Sequence, residues 1–176
     1  MPTINFTTQL SKIGALIILH LPKTASAKLP SRGMTLVEGT FNGKAFKTVL
    51  EPDGKGSHWF EVKGKPGDGA KVSMTTSKAW PEPKIPPDIH AALKSAPKSL
   101  ATWKETTAIA RWDWIRWIRS TNSAETRKKR IGVALSKLKS GMRRPCCFNR
   151  AMCTEPAVSN SGILQEPKPS TKTRQM

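Results

Sequence analysis

The chain has 176 residues, room for one ordinary domain or two small ones, and a hydrophobic share of 37% that supports only a modest core. Lysine and arginine number 30 against 12 aspartates and glutamates, a net charge of +18, so the molecule's field attracts polyanions such as nucleic acid or acidic lipid headgroups. No apolar stretch reaches the roughly 18 residues of a membrane-spanning helix, and three cysteines crowded at 146, 147 and 153 are no disulfide framework.

The first 80 residues read as short strands. Ile4, Phe6, Thr8 and Leu10 alternate with polar positions, the period of a strand with one buried face. Ala15 to Leu21, apolar apart from His20, runs between Gly14 and Pro22, as in a strand buried on both faces. With Ala25-Ser26-Ala27 behind it the run imitates a secretory signal, but the long stretch before it holds only one basic residue, Lys12, and His20 interrupts it, so a strand is the better account. Met34 to Phe41 and Lys44 to Leu50 flank Asn42-Gly43, the pair favoured in a two-residue type I′ turn because both residues need positive φ. Turn residues at 52–56 and 63–69 separate two more alternating runs, His58-Phe60-Val62 and Ala70-Val72-Met74. Six short strands leave edges to hide, so residues 1–80 are expected to close into a small antiparallel β-barrel or a tight sandwich.

Four prolines among residues 81–87 can continue neither a ladder nor a helix, which makes that stretch a linker. Beyond it the period changes to that of helices, and residues 88–148 read as a helical module, for an α+β fold overall. Pro87-Asp88 opens a short helix over Ile89, Ala92 and Leu93, which Pro97 ends. Ser99 is expected to cap one long helix from Leu100 to about Arg119. Its Leu100, Trp103, Trp114, Ile115, Trp117 and Ile118 share an apolar stripe, with Trp112, Asp113, Arg116 and Arg119 opposite. Asn122 is expected to cap the next helix, with Glu125 three residues on completing a capping box. Ile131, Ala134, Leu135 and Leu138 give that helix its buried face, and Gly141 ends it. Residues 149–176, rich in Ser, Thr, Pro and Lys, are expected to be a disordered tail.

No catalytic or metal-binding constellation stands out. His20, His58 and His90 are scattered without metal-ligand spacing, and neither a GxSxG elbow nor a GxxxxGK[ST] loop is present. Neither a metal nor a cofactor is therefore expected. The cysteines lack a CxxC spacing and read as free thiols of a reducing cytosol, with Arg143, Arg144 and Arg150 near enough to favour a thiolate. Charge is the stronger signal: residues 81–150 hold 16 basic and 5 acidic residues, a net of +11. Trp112 between Arg116 and Arg119 has the makings of a stacking site for a base with guanidinium groups on phosphates. The run Arg127-Lys128-Lys129-Arg130 has the makings of a phosphate-neutralising patch. Packing of Trp112 on the β-domain, and a solvated helix face with an arginine pinned by a carboxylate such as Glu125, account for the same residues without a ligand.

At Val37-Glu38-Gly39-Thr40-Phe41-Asn42-Gly43, Gly56-Ser57-His58, Gly67-Asp68-Gly69 and Val72 the first half resembles an N-terminal domain of unknown function found in many bacterial proteins. The second half resembles the YdeI/OmpD-associated, or bacteriocin-protection, family at Pro87-Asp88, Ala92-Leu93, Trp117-Ile118, Glu125-Thr126-Arg127, Arg130-Ile131 and Leu138 to Gly141. The two stretches cover roughly residues 4–148. The resemblance implies a small closed or split β-barrel with a helical appendage, protection against cationic antimicrobial peptides with a porin association, and no established catalysis. Ser120-Thr121 stands where the family often has Ala-Lys.

The expectation is therefore a non-enzymatic binding or stress-tolerance protein of the cytoplasm. Its barrel is a scaffold, and its basic helices meet an unknown protein or an anionic polymer through Trp112, Arg116, Arg119, Arg127, Lys128 and Arg130. Two alternatives are a nucleic-acid-binding regulator and a small-molecule enzyme with a site in the barrel mouth near His58. Oligomeric state stays open.

Overall fold

The computed structural model describes residues 2–145, 148–151 and 153–159. Its first half runs β1 (Ile4–Gln9), β2 (Ser11–Ile13), β3 (Leu16–His20), a short helix α1 (Lys23–Ser26), β4 (Thr35–Phe41), β5 (Lys44–Pro52), β6 (His58–Glu61) and β7 (Gly69–Thr76). All pairings are antiparallel, in the order β1-β7-β4-β5-β6-β3-β2. The two outer members of that order, β1 and β2, are separated in the chain only by Leu10. The ribbon therefore curls until its two edges are halves of one kinked strand, which is the barrel expected from the sequence. Leu10 holds the kink, its amide donating to the Asp68 carbonyl at 2.9 Å and its carbonyl accepting from Gly67 at 2.8 Å. The sequence pattern predicts six strands. The seventh, β2, has three residues, too few to show a period, and turns into β3 through Gly14 at φ +57.

Leu19, Val37, Leu50 and Met74, each at most 1% exposed, fill the barrel with Phe46 and Phe60 packed alongside. Each such aliphatic side chain contributes roughly 1.5–3 kcal/mol by leaving water. The turn between β4 and β5 is the one expected: Asn42 and Gly43 sit at φ +49 and +81. Asn42 also bridges to β7, its Nδ2 donating to the Gly69 carbonyl and its Oδ1 accepting from the Lys71 amide, at 3.0 and 2.7 Å. At Gly39 a Cβ would lie 1.9 Å from the Ser73 carbonyl oxygen and 2.8 Å from Met74 Cα, so β4 and β7 approach as they do only because this residue has no side chain.

A polar plug ties α1 to the 53–57 turn. His58 is fully buried; its Nε2 donates to the Gly33 carbonyl at 2.8 Å, which leaves Nδ1 to accept the Ser26 hydroxyl at 2.7 Å. Burial pushes its pKa down, so the ring is neutral. Asp53, 1% exposed, accepts from His20 Nε2 at 2.8 Å and from the amides of Lys55 and Ser57 at 2.7 and 3.0 Å. Burial raises its pKa, but the His20 bond and the two amides outweigh that and hold it below the ordinary carboxylate value. Arg32 closes the plug by donating to the carbonyls of Ser26, Leu29 and Gly56.

The helices are α2 (Pro87–Lys94), α3 (Pro97–Glu105), α4 (Ala108–Arg119), α5 (Ala124–Lys139) and α6 (Pro156–Ser159). The single helix expected from Leu100 to Arg119 is broken. Thr106 is extended (φ −72, ψ 161), and the Thr107 hydroxyl accepts the Ala110 amide to start α4. Two adjacent threonines, β-branched and able to bond the main chain themselves, favour that interruption. Ser99 is no cap; its hydroxyl donates to the Leu135 carbonyl at 2.7 Å and ties α3 to α5. The cap of α5 is also displaced by one residue from Asn122. Ser123 Oγ accepts the Thr126 amide at 3.1 Å, and Glu125, now at the second helical position, is exposed beside Lys129 at 3.6 Å instead of closing a capping box. The apolar stripe still meets in one core of Ile89, Leu93, Trp103, Trp114, Ile118 and Leu138.

Residues 153–159 differ from the disordered stretch expected from residue 149. Val158 is fully buried among Ile13, Ile18 and Trp59, and the Thr154 hydroxyl accepts from Trp59 Nε1 at 3.0 Å. A single valine between Ala157 and Ser159 gives no periodic signal. Cys146, Cys147 and the expected tail beyond Ser159 lie outside the described residues.

Gly39→Ala should cost about 1–3 kcal/mol by overpacking, read as a lower midpoint of chemical denaturation. A second expectation follows from His58. Because its folded pKa lies below the ordinary 6.5, the unfolded chain takes up a proton near that pH which the folded ring refuses, so stability falls as pH drops from 7.5 to 5.5. The slope approaches at most about 1.4 kcal/mol per pH unit, and His58→Gln should remove that component from the pH dependence of unfolding.

Candidate functional site

The barrel meets the helices where Glu51 at the end of β5 faces the last turns of α4. Arg119 Nη2 donates to Glu51 Oε1, and Arg116 Nε lies 3.7 Å from the same oxygen. Arg116 is fully buried. Its Nη2 donates to the carbonyls of Arg150 and Cys153 at 3.2 and 2.7 Å, and its guanidinium lies 5.0 Å from the Phe148 ring centre. Its Nε and Nη1, and Arg119 Nε, have no hydrogen-bond partner among the described residues. Burial pushes the pKa of Arg116 down to about 10 and that of Arg119 down as well.

Nearly one turn earlier on α4, Asp113 is 2% exposed. Guanidinium nitrogens of Arg116, Arg144 and Arg150 surround it at 4.0, 3.9 and 4.0 Å, all beyond hydrogen-bond length. Burial raises its pKa more than the three cations lower it. These side chains line a cleft of about 220 Å³ whose apolar wall is Met34, Trp80 and Ile109. Three guanidinium groups against one carboxylate leave the cleft net positive, with two Arg116 donors unsatisfied among the described residues. Such a site can hold an anionic group by charge-assisted hydrogen bonds.

The six residues expected to contact a partner lie in different surroundings. Trp112 is half-buried and donates Nε1 to the Pro81 carbonyl at 2.9 Å, while neighbouring Arg111 Nε meets Glu82 at 2.9 Å, so this side of α4 clamps the linker. Arg116 and Arg119 lie in the junction. Arg127 makes a two-pronged bond to Asp88 at 2.7 and 3.0 Å, tying α5 to α2; that bond lowers the aspartate's pKa and raises the arginine's. Arg130 donates to the Trp117 carbonyl at 2.7 Å and the Ser120 hydroxyl at 2.9 Å, with its guanidinium 5.5 Å from the Trp117 ring centre. Ser120 thus has a structural use. Lys128 alone of the six is exposed. His58, the residue behind the enzyme alternative, has both ring nitrogens committed within the polar plug.

Sequence reasoning missed Asp113, Glu51 and Arg150 as a cluster. Asp113 and Arg116 at i and i+3 were the available signal, whereas Glu51 is 65 residues from Arg116 and only the fold joins them. Among the described residues no group of three or more His, Cys, Asp or Glu side chains could hold a metal ion, and no helix is long and apolar enough to cross a membrane.

Residues 82–141 match the model of the family described as bacteriocin-protection, YdeI or OmpD-associated, and residues 6–73 match that of a domain of unknown function, DUF1905. No curated protein matches the chain. The two matched stretches coincide with the helices and the barrel on either side of the cleft. The chain thus joins a helical module that matches the bacteriocin-protection, YdeI or OmpD-associated family to a barrel that matches DUF1905.

Proposed function

We propose that the protein is a non-catalytic binding protein of the bacteriocin-protection kind, in which the barrel is the scaffold and the cleft between barrel and helices receives an anionic group of its partner. One observation carries this reading: the fully buried guanidinium of Arg116, with Nε and Nη1 unbonded among the described residues, at a cleft already enclosing Arg144 and Arg150. A buried cationic donor without a partner is costly. An oxyanion would replace three contacts near 4 Å with hydrogen bonds of roughly 2.7–2.9 Å. Arg144 and Arg150, with side chains 44% and 61% exposed, are free to close over such a group. Exposed Lys128 adds long-range attraction for the same partner. The family description supports a protective role in place of turnover.

The reading is tested by thermal unfolding with inorganic phosphate and, separately, acetate. At tenfold the dissociation constant, ligand binding stabilises by about 1.4 kcal/mol, a rise of roughly 3–6 °C for a chain of this size. The double variant Arg144→Gln/Arg150→Gln should lose that rise for whichever anion gives it. An equal rise in the double variant, or none in the wild type with either anion, would overturn the cleft as the receiving site.

A further inference from the structure

The barrel has an open seam. Strands β5 and β6 pair only at Glu51↔Trp59 and Pro52↔His58. Yet β5 stays paired with β4 down to Phe41↔Lys44, and β6 stays paired with β3 out to Ile18↔Glu61. Beyond Trp59 the two strands have parted.

The register shows which main-chain groups face the gap. In a two-residue hairpin the flanking pair, here Phe41 and Lys44, exchanges both hydrogen bonds, and such pairs alternate along the ladder. Gly39/Phe46 and Val37/Thr48 are therefore bonded pairs, and Ala45, Lys47 and Val49 turn N–H and C=O away from β4 into the gap. On the opposite bank the Val62 amide donates to Ile17, and the Leu21 amide to His58. The same alternation turns the main chain of Glu61 toward β5. Val49 and Glu61 would form the next rung after Glu51↔Trp59, but among the described residues no strand pairs with either edge there.

The gap has a floor and a rim. A pocket of about 290 Å³ lies along it over Phe41, Phe46 and Phe60, the last two stacked with centroids 5.9 Å apart. Lys44, Lys47 and Lys63 rim it against one acid, Glu61. Lysines on an open edge repel a second copy of the same edge, so an occupant has to bring the opposite charge. We propose that the β5–β6 seam docks an extended acidic segment of a partner protein, which adds a strand to β5, sets alternate apolar side chains on the phenylalanine floor and meets the lysines with its carboxylates. This rests on main-chain pairing in the barrel and is independent of the arginine cleft.

The probe is a fluorescein-labelled heptapeptide alternating glutamate and valine, followed by anisotropy with the full chain. Saturable binding is expected, weakened at least tenfold by Lys47→Glu and by Ala45→Pro. Ala45→Pro removes a seam-facing N–H while leaving the β4 ladder its bonds, with circular dichroism checking that the barrel is retained. If Ala45→Pro does not fold, methylation of alternate peptide nitrogens makes the same test from the ligand side and should abolish binding in at least one of the two registers. A lysine–valine peptide should not bind, and Arg144→Gln/Arg150→Gln should bind the glutamate–valine peptide as the wild type does. The proposal is overturned by absence of saturable binding, by full binding of both methylated peptides, by indifference to Lys47→Glu, or by loss of binding in the arginine double variant.

Discussion

A fully buried guanidinium is the constraint around which the two halves are arranged. Removing Arg116 from water costs several kcal/mol unless its charge and donors are answered, and no single element answers them. Glu51 comes from the barrel, Asp113 from the arginine's own helix, and two carbonyls from residues 150 and 153. Barrel, helical module and C-terminal segment each complete part of the environment of one side chain. The segment at 153–159 is held by more than its short helix: it places its carbonyl on Arg116 and its valine and threonine on the outer face of β3 and β6.

Glu51-Pro52-Asp53 shows how little chain separates two polar systems with different tasks. Glu51 faces the arginines of α4, while Asp53 fixes His20 and two amides of its own turn. Pro52 lies past the last rung with β4, Thr35↔Leu50, so its missing N–H takes nothing from that ladder, and its carbonyl accepts from Trp59 Nε1. A proline is accommodated because the strand is changing partners at that point.

Much of the fold is legible in the sequence because it is periodic or locally signalled. Alternation located β1, β6 and β7, Asn42-Gly43 announced the turn between β4 and β5, and the chain from Pro81 leads through its prolines into α2. What was not legible is competitive or long-range. Thr106-Thr107 broke an apolar stripe that projection alone carried through, and Ser123 displaced Asn122 as a cap by one residue because either side chain can accept the bond. For the site, sequence reasoning selected Trp112, Arg116 and Arg119 as neighbours of special character, but charge pattern cannot tell an arginine facing water from one facing Glu51. That distinction depends on a contact spanning 65 residues, which only closure of the barrel and docking of α4 supply.

The kinked strand formed by β1 and β2 has a consequence for the nascent chain. Ile4 pairs with Met74 and Gln9 with Gly69, so at synthesis rates of about 5–20 residues per second the first strand waits several seconds for its partner. The β4–β5 hairpin, joined by two residues, needs only about 1–10 μs once made. Assembly therefore radiates from the middle of the barrel, and Phe6 and its neighbours stay solvent-exposed on the ribosome until β7 has emerged. Within the barrel, β1 is the strand that waits longest for its partner.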